Sequence, residues 1–184
     1  IGGNHISVTA VIVPDAPVRV LLLESGAPCE VSYFAPVQLA PEKEDAASAS
    51  VWRDGSALRA ENPRCPYKDV RVTLRCSAPW VSAGTDARFL CGEDSGALRR
   101  GFPALAGAFR LEKEAVMLLG TADIPALLDI ARAREALAKT KAWWAQCVRG
   151  EKYSAAMPES VRRLAPWSAY AALCCRVLGR GSLY

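Results

Sequence analysis

Apolar residues fall in short β-branched runs over the first two-thirds of the chain and at helical spacing over the last third. Ile6 to Val13 (ISVTAVIV) and Val18 to Leu23 (VRVLLL) flank a proline turn and predict two strands. Cys29 to Val37 supplies a third strand ending near Pro36, and the charged, small-residue stretch Leu39 to Ser50 reads as an exposed loop. Val51 to Ser56 is a strand end running into an Asp54-Gly55 turn. The alternation Val70, Val72, Leu74, Cys76 predicts a half-buried strand with Cys76 inward, closed by Ala78 to Val81. Ala87 to Cys91 (ARFLC) is expected as the next strand. Phe102 to Phe109 is interrupted by Pro103 and Gly107 and receives no assignment, whereas Ala115 to Leu119 reads as a buried strand ending at Gly120.

Thr121 to Arg149 carries the helical period. Thr121 or Asp123 is the expected cap, and Pro125 sits near the first helical position, where its missing N–H is not needed. Winding at about 100° per residue gathers Leu127, Ile130, Ala131, Leu137, Ala138, Trp144, Ala145 and Val148 on one side. Ala131, Ala138 and Ala145 then form a shallow strip suited to close approach by another element. Arg134 and Lys141 fall between this strip and the bulky one, running their stems over apolar surface towards water or a carboxylate. The functional alternative is a partly desolvated Lys141, with its pKa lowered towards that of a general base. A last helix starts at Pro158-Glu159. From Pro166 onward, through Trp167, Ala172 and Leu173, it has almost no polar side, which calls for core packing against the first helix or a partner surface.

Strands before helices predict an α+β fold in a single domain, 1–184. Its β-rich part, 1–119, is an N-terminal antiparallel sheet or sandwich packed against a C-terminal helical layer, 121–184.

Composition narrows the function classes. The 184 residues are 51% hydrophobic and 23% charged, as in ordinary globular proteins. A net charge of +4, carried by scattered Arg and Lys pairs, gives too little counterion-release drive for nucleic acid. No apolar run reaches the ~18 residues that span a bilayer. The start at Ile1, without Met, leads us to expect a processed chain or a piece of a longer one, secreted or viral polypeptides included. Of seven cysteines, Cys29, Cys65, Cys76 and Cys91 form an even set in the strand-rich half. They permit two disulfides in three connectivities and favour an oxidising compartment; in a reducing one they would be buried thiols.

Cys91-Gly92-Glu93-Asp94-Ser95-Gly96 is the sharpest chemical motif, a serine on a tight turn beside free backbone amides. The only histidine is His5, so a serine nucleophile would need a lysine base, Lys141 or Lys139. Each residue of the motif is also what a hydrophilic turn requires. The cysteine spacing fits no zinc site and no phosphate-binding glycine loop occurs, so no metal or cofactor is expected. The sequence favours a non-enzymatic protein-binding or assembly module that joins a protein partner or its own copies, with Trp143, Trp144, Trp167, Ala172 and Leu173 as contact residues. The alternative is a serine hydrolase with a Ser95/Lys141 dyad.

Overall fold

The computed structural model describes residues 5–14, 16–37, 39–40, 43–66, 70–86, 89, 103–149 and 158–161. The chain divides into two compact units, residues 1–140 and 141–184.

The described residues of the first unit form nine strands, β1 (Ile6–Ile12), β2 (Val18–Ser25), β3 (Cys29–Pro36), β4 (Ser50–Asp54), β5 (Ala57–Glu61), β6 (Arg71–Cys76), β7 (Trp80–Asp86), β8 (Pro103–Leu111) and β9 (Glu114–Gly120). They build a six-stranded sheet, β1-β2-β9-β6-β5-β4, and a three-stranded sheet, β3-β8-β7. Every ladder is antiparallel. One core lies between the sheets and joins Leu21, Leu58, Leu74 and Met117 of the first to Trp80, Leu105, Phe109 and Leu111 of the second. A second core lies on the other face of the six-stranded sheet. There Val18, Val20, Leu22, Val116 and Leu118 meet Ala133, Ile130 and Leu137 of helix α1 (Ile130–Arg149).

This arrangement explains two strongly apolar runs in the chain. β2 and β9 are covered on both faces, so they read as near-continuous hydrophobic stretches rather than as an alternation. Leu21 and Leu23 point into the sandwich, and Val18, Val20 and Leu22 point to the helix side. Between β4 and β5, Gly55 alone has a positive φ, +58°, as the first position of a type II′ hairpin turn requires. The expected N-terminal sheets and C-terminal helix are present, so the protein is broadly α+β, but β structure dominates. Among the described residues only one long helix occurs, with a further helical turn at residues 159–161.

Several expectations are corrected. Pro125–Leu128 forms a 3-10 turn, and α1 begins after it, capped by Asp129. The Asp129 carboxylate accepts the Arg132 N–H at 3.0 Å, and its carbonyl accepts the Ala133 N–H at 2.9 Å. Asp123 lies too far before Ile130 to cap α1, and Arg75 and Arg59 engage its carboxylate instead. The helix is also rotated from the expected setting: Ile130 and Leu137 of the expected side do pack on the sheet, but its alanine strip does not. Ala133 and Ala136 are buried, while Ala131, Ala138 and Ala145 are exposed. Ala131 lies two residues, or about 200°, from Ala133, so seating Ala133 against Val18, Val20 and Leu22 turns the other strip outward. Arg134 does run to carboxylates, donating to Glu24 at 2.8 Å and Glu114 at 2.6 Å. The strand expected at Ala87 to Cys91 is not formed at Phe89, which lies in a 3-10 turn; Ala87, Arg88, Leu90 and Cys91 lie outside the described residues.

Candidate binding surface

In the second unit, Trp143 and Trp144 meet edge to face, with centroids 4.8 Å apart and planes at 79°. Trp143 is 40% exposed, and Trp144 is half-buried. Lys141, the candidate base, is exposed. Its suggested partner Ser95 lies outside the described residues, as do Trp167, Ala172 and Leu173.

In the first unit, a polar cluster lies on the helix side of β4, β5 and β6, where Trp52, Arg59, Thr73 and Arg75 share a face through the ladder register. Arg75 grips Asp123 with two bonds, Nε to Oδ1 at 2.6 Å and an Nη to Oδ2 at 2.8 Å. Arg59 reaches the same carboxylate at 3.2 Å and Asp54 at 2.8 Å. Arg71 stacks over Trp52, 5.4 Å from the ring centre, and pairs with Glu61 at 3.1 Å. Each of these guanidiniums has a carboxylate partner, so the cluster is a neutralised clamp that holds the segment after β9 rather than an open anion site.

Bonding from Arg75 is the main cause that holds the Asp123 carboxyl below the usual carboxylate range; partial burial opposes it, and the charges of Arg75 and Arg59 reinforce it. A depressed folded pKa means stability that is present above the unfolded pKa and lost as pH falls through the folded one. Asp123→Asn is therefore expected to destabilise the chain at pH 7 by about 1–2 kcal/mol, and the gap from wild type should begin to narrow below about pH 4 and close only below the lower folded pKa. Urea midpoints compared at pH 7 and pH 3 check this; a gap that stays constant would show that the ion pair contributes nothing.

A third surface runs along β1. Ile6, Val8 and Ile12 are 37%, 54% and 57% exposed. The sequence marked these residues only as a strand, because a β-branched run looks the same whether or not another layer covers it. Beside it, His5, Ser7, Glu24, Ser25, Gly26, Lys113 and Glu114 line a shallow pocket. Both of its carboxylates already accept bonds from Arg134.

Among the described residues, no reactive cysteine pair occurs. Cys29, Cys65 and Cys76 are free thiols, and Cys91 lies outside the described residues. Cys76 is buried on the inward side of β6, as its place in the alternation predicts, and burial pushes its thiol up to about 11. A thiol this protonated is a poor nucleophile. Among the described residues, no group of three or more His, Cys, Asp or Glu could hold a metal ion, and no helix is long and apolar enough to cross a membrane.

No family model matches the chain, and no curated protein matches it. A solved structure of a protein assigned as a kojibiose phosphorylase, from the human microbiome, aligns over 91% of this chain and 21% of its own, at 11% identity and a TM-score of 0.30. The chain thus spans about a fifth of that protein's length, and at this level of likeness neither fold nor activity carries over.

Proposed function

We propose that the chain is a protein-binding or assembly module. The observation that supports this reading is Trp143, a large aromatic left 40% exposed against the edge of Trp144. Tryptophan presents a wide, stiff apolar surface, loses little side-chain entropy on burial and is enriched among residues that dominate association energies. Exposed singly it would be unremarkable, but a neighbouring ring fixes it in place and makes it a preorganised anchor. The reading extends to Trp167, Ala172 and Leu173, which lie outside the described residues. It includes association of the chain with its own copies. No observation among the described residues favours the Ser95/Lys141 hydrolase.

Sedimentation velocity across a concentration series is the direct test. The chain is expected to self-associate, and Trp143→Ala should weaken that association by about 30-fold, the scale of a 2 kcal/mol anchor, with unchanged far-UV circular dichroism. A wild-type chain that stays monomeric at every concentration, or a variant that associates equally well, would remove the support Trp143 gives.

A further inference from the structure

Ile6, Val8, Ala10 and Ile12 stand opposite Ser25, Leu23, Leu21 and Arg19 in the β1–β2 ladder, so all eight side chains share one face. On β2 that face is closed, with Leu21 and Leu23 buried in the core between the sheets. One strand further out it is bare, and Ile6, Val8 and Ile12 are exposed. The cause is a mismatch in sheet width. Among the described residues, six strands lie on one side and three on the other, and the narrower sheet ends at β3, whose only ladder partner there is β8.

β3 stands over β2. The short link Gly26-Ala27-Pro28 joins the two strands, and Val31 and Tyr33 pack on the cluster that holds Leu21 and Leu23. Burial raises the pKa of the Tyr33 phenol while the charge of Arg19 lowers it, which places the Arg19 cation near Tyr33. The free edge of β3 therefore overlooks the β1 row and makes a step. Its floor is apolar, its wall is a line of backbone N–H and C=O groups without a ladder partner among the described residues, and Arg19 marks one end. Arg19 is exposed and forms no ion pair among the described residues.

The opposite edge of the six-stranded sheet is built differently. β4 has only five residues, ends in Arg53-Asp54, and packs Val51 against the core. Short length and charge are the usual protections of an edge. β1 has seven residues, none charged.

We infer that the step binds one extended strand of a partner protein. That strand is uncharged along its length, apolar at alternate residues, and carries a carboxylate at the end that meets Arg19. It would join the three-stranded sheet as a fourth strand, pairing its backbone with β3 and covering Ile6, Val8 and Ile12 with its apolar row. The β3 backbone supplies affinity, the β1 row selects alternation, and Arg19 selects direction. This goes beyond the binding role proposed above and uses none of its tryptophans.

The test uses two labelled peptides of alternating valine and serine, with an aspartate at opposite ends to cover both strand directions. Fluorescence anisotropy with the full chain should show one peptide binding clearly better, and hydrogen exchange should slow at the β3 amides. Val8→Lys and Arg19→Glu should each weaken binding by about 10-fold, and a lysine-ended peptide should recover affinity for Arg19→Glu. Both positions are exposed, and melting curves are to check that the variants fold. Absence of binding, or binding indifferent to both substitutions, overturns the proposal. So does self-association of the free chain that Val8→Lys abolishes, because a second copy would then occupy the step. Trp143→Ala should leave peptide binding unchanged, so failure here and failure of the assembly reading are told apart.

Discussion

Gly120→Ala is expected to destabilise the protein by about 3 kcal/mol, at the upper end for overpacking, and to lower its melting temperature by roughly 10 °C. Gly120 pairs with Val18 on one side and Thr73 on the other, so two ladders meet at its α-carbon. An added methyl group would run into the Pro17 carbonyl oxygen and come within 2.6 Å of the Val18 α-carbon. Both are backbone atoms, and the same Pro17 carbonyl accepts the Thr121 N–H at 3.0 Å, so the chain cannot give way without losing that bond. Gly26→Ala is the matched control, since nothing lies within 4 Å of the methyl group it would gain. Thermal unfolding of the two variants side by side decides the matter; equal midpoints would show that the β2–β9–β6 junction is softer than its geometry.

Phe109→Ala should be at least as damaging, with a loss of about 3–5 kcal/mol. Phe109 is fully buried at the centre of the narrow sheet, opposite Val31 on β3 and Trp80 on β7. Its ring meets Trp80 edge to face at 5.8 Å. Trp80 is fixed twice more. Its indole N–H donates to the Ser56 carbonyl at 2.9 Å, and its ring lies over Gly107, where a methyl group would come within 2.5 Å. Removing Phe109 therefore opens a cavity that these ties prevent Trp80 from filling. The expected results are a lower urea midpoint and a weakened near-UV circular dichroism band. A variant that unfolds at the wild-type midpoint would contradict this account of the inter-sheet core.

What the sequence made legible follows from where each signal is local. β1, β2, β3, β6 and β9 show as β-branched, alternating or continuous apolar runs because the residues that define them are consecutive. β8 was missed because Pro103 and Gly107 read as breakers. Yet Pro103 opens the strand, where its missing N–H is tolerated, and Gly107 is the gap over which Trp80 lies. β5, ALRAE, has no β-branched residue at all; it is a strand because Leu58 and Ala60 fill the inter-sheet core. Tertiary context overrides propensity there. The rotation of α1 was misjudged for a related reason. Alanines at 131, 133, 136, 138, 142 and 145 fall on two opposite sides of the helix, so the alanine pattern does not say which of them faces the sheet; contact with Val18, Val20 and Leu22 selects Ala133. Of the candidate surface, the tryptophan pair could be read from the sequence. The bare row on β1 could not, since exposure there depends on how many strands lie opposite.

The position of β9 has a consequence for how the protein is made. It is the ninth strand in the sequence but the third in its sheet, where it alone links the β1–β2 hairpin to the β4–β5–β6 meander. Until a ribosome has delivered Glu114–Gly120, those two halves have no ladder between them. Completion of the wide sheet is thus gated by the late arrival of one strand, and the earlier hairpins must wait with their apolar faces unclosed.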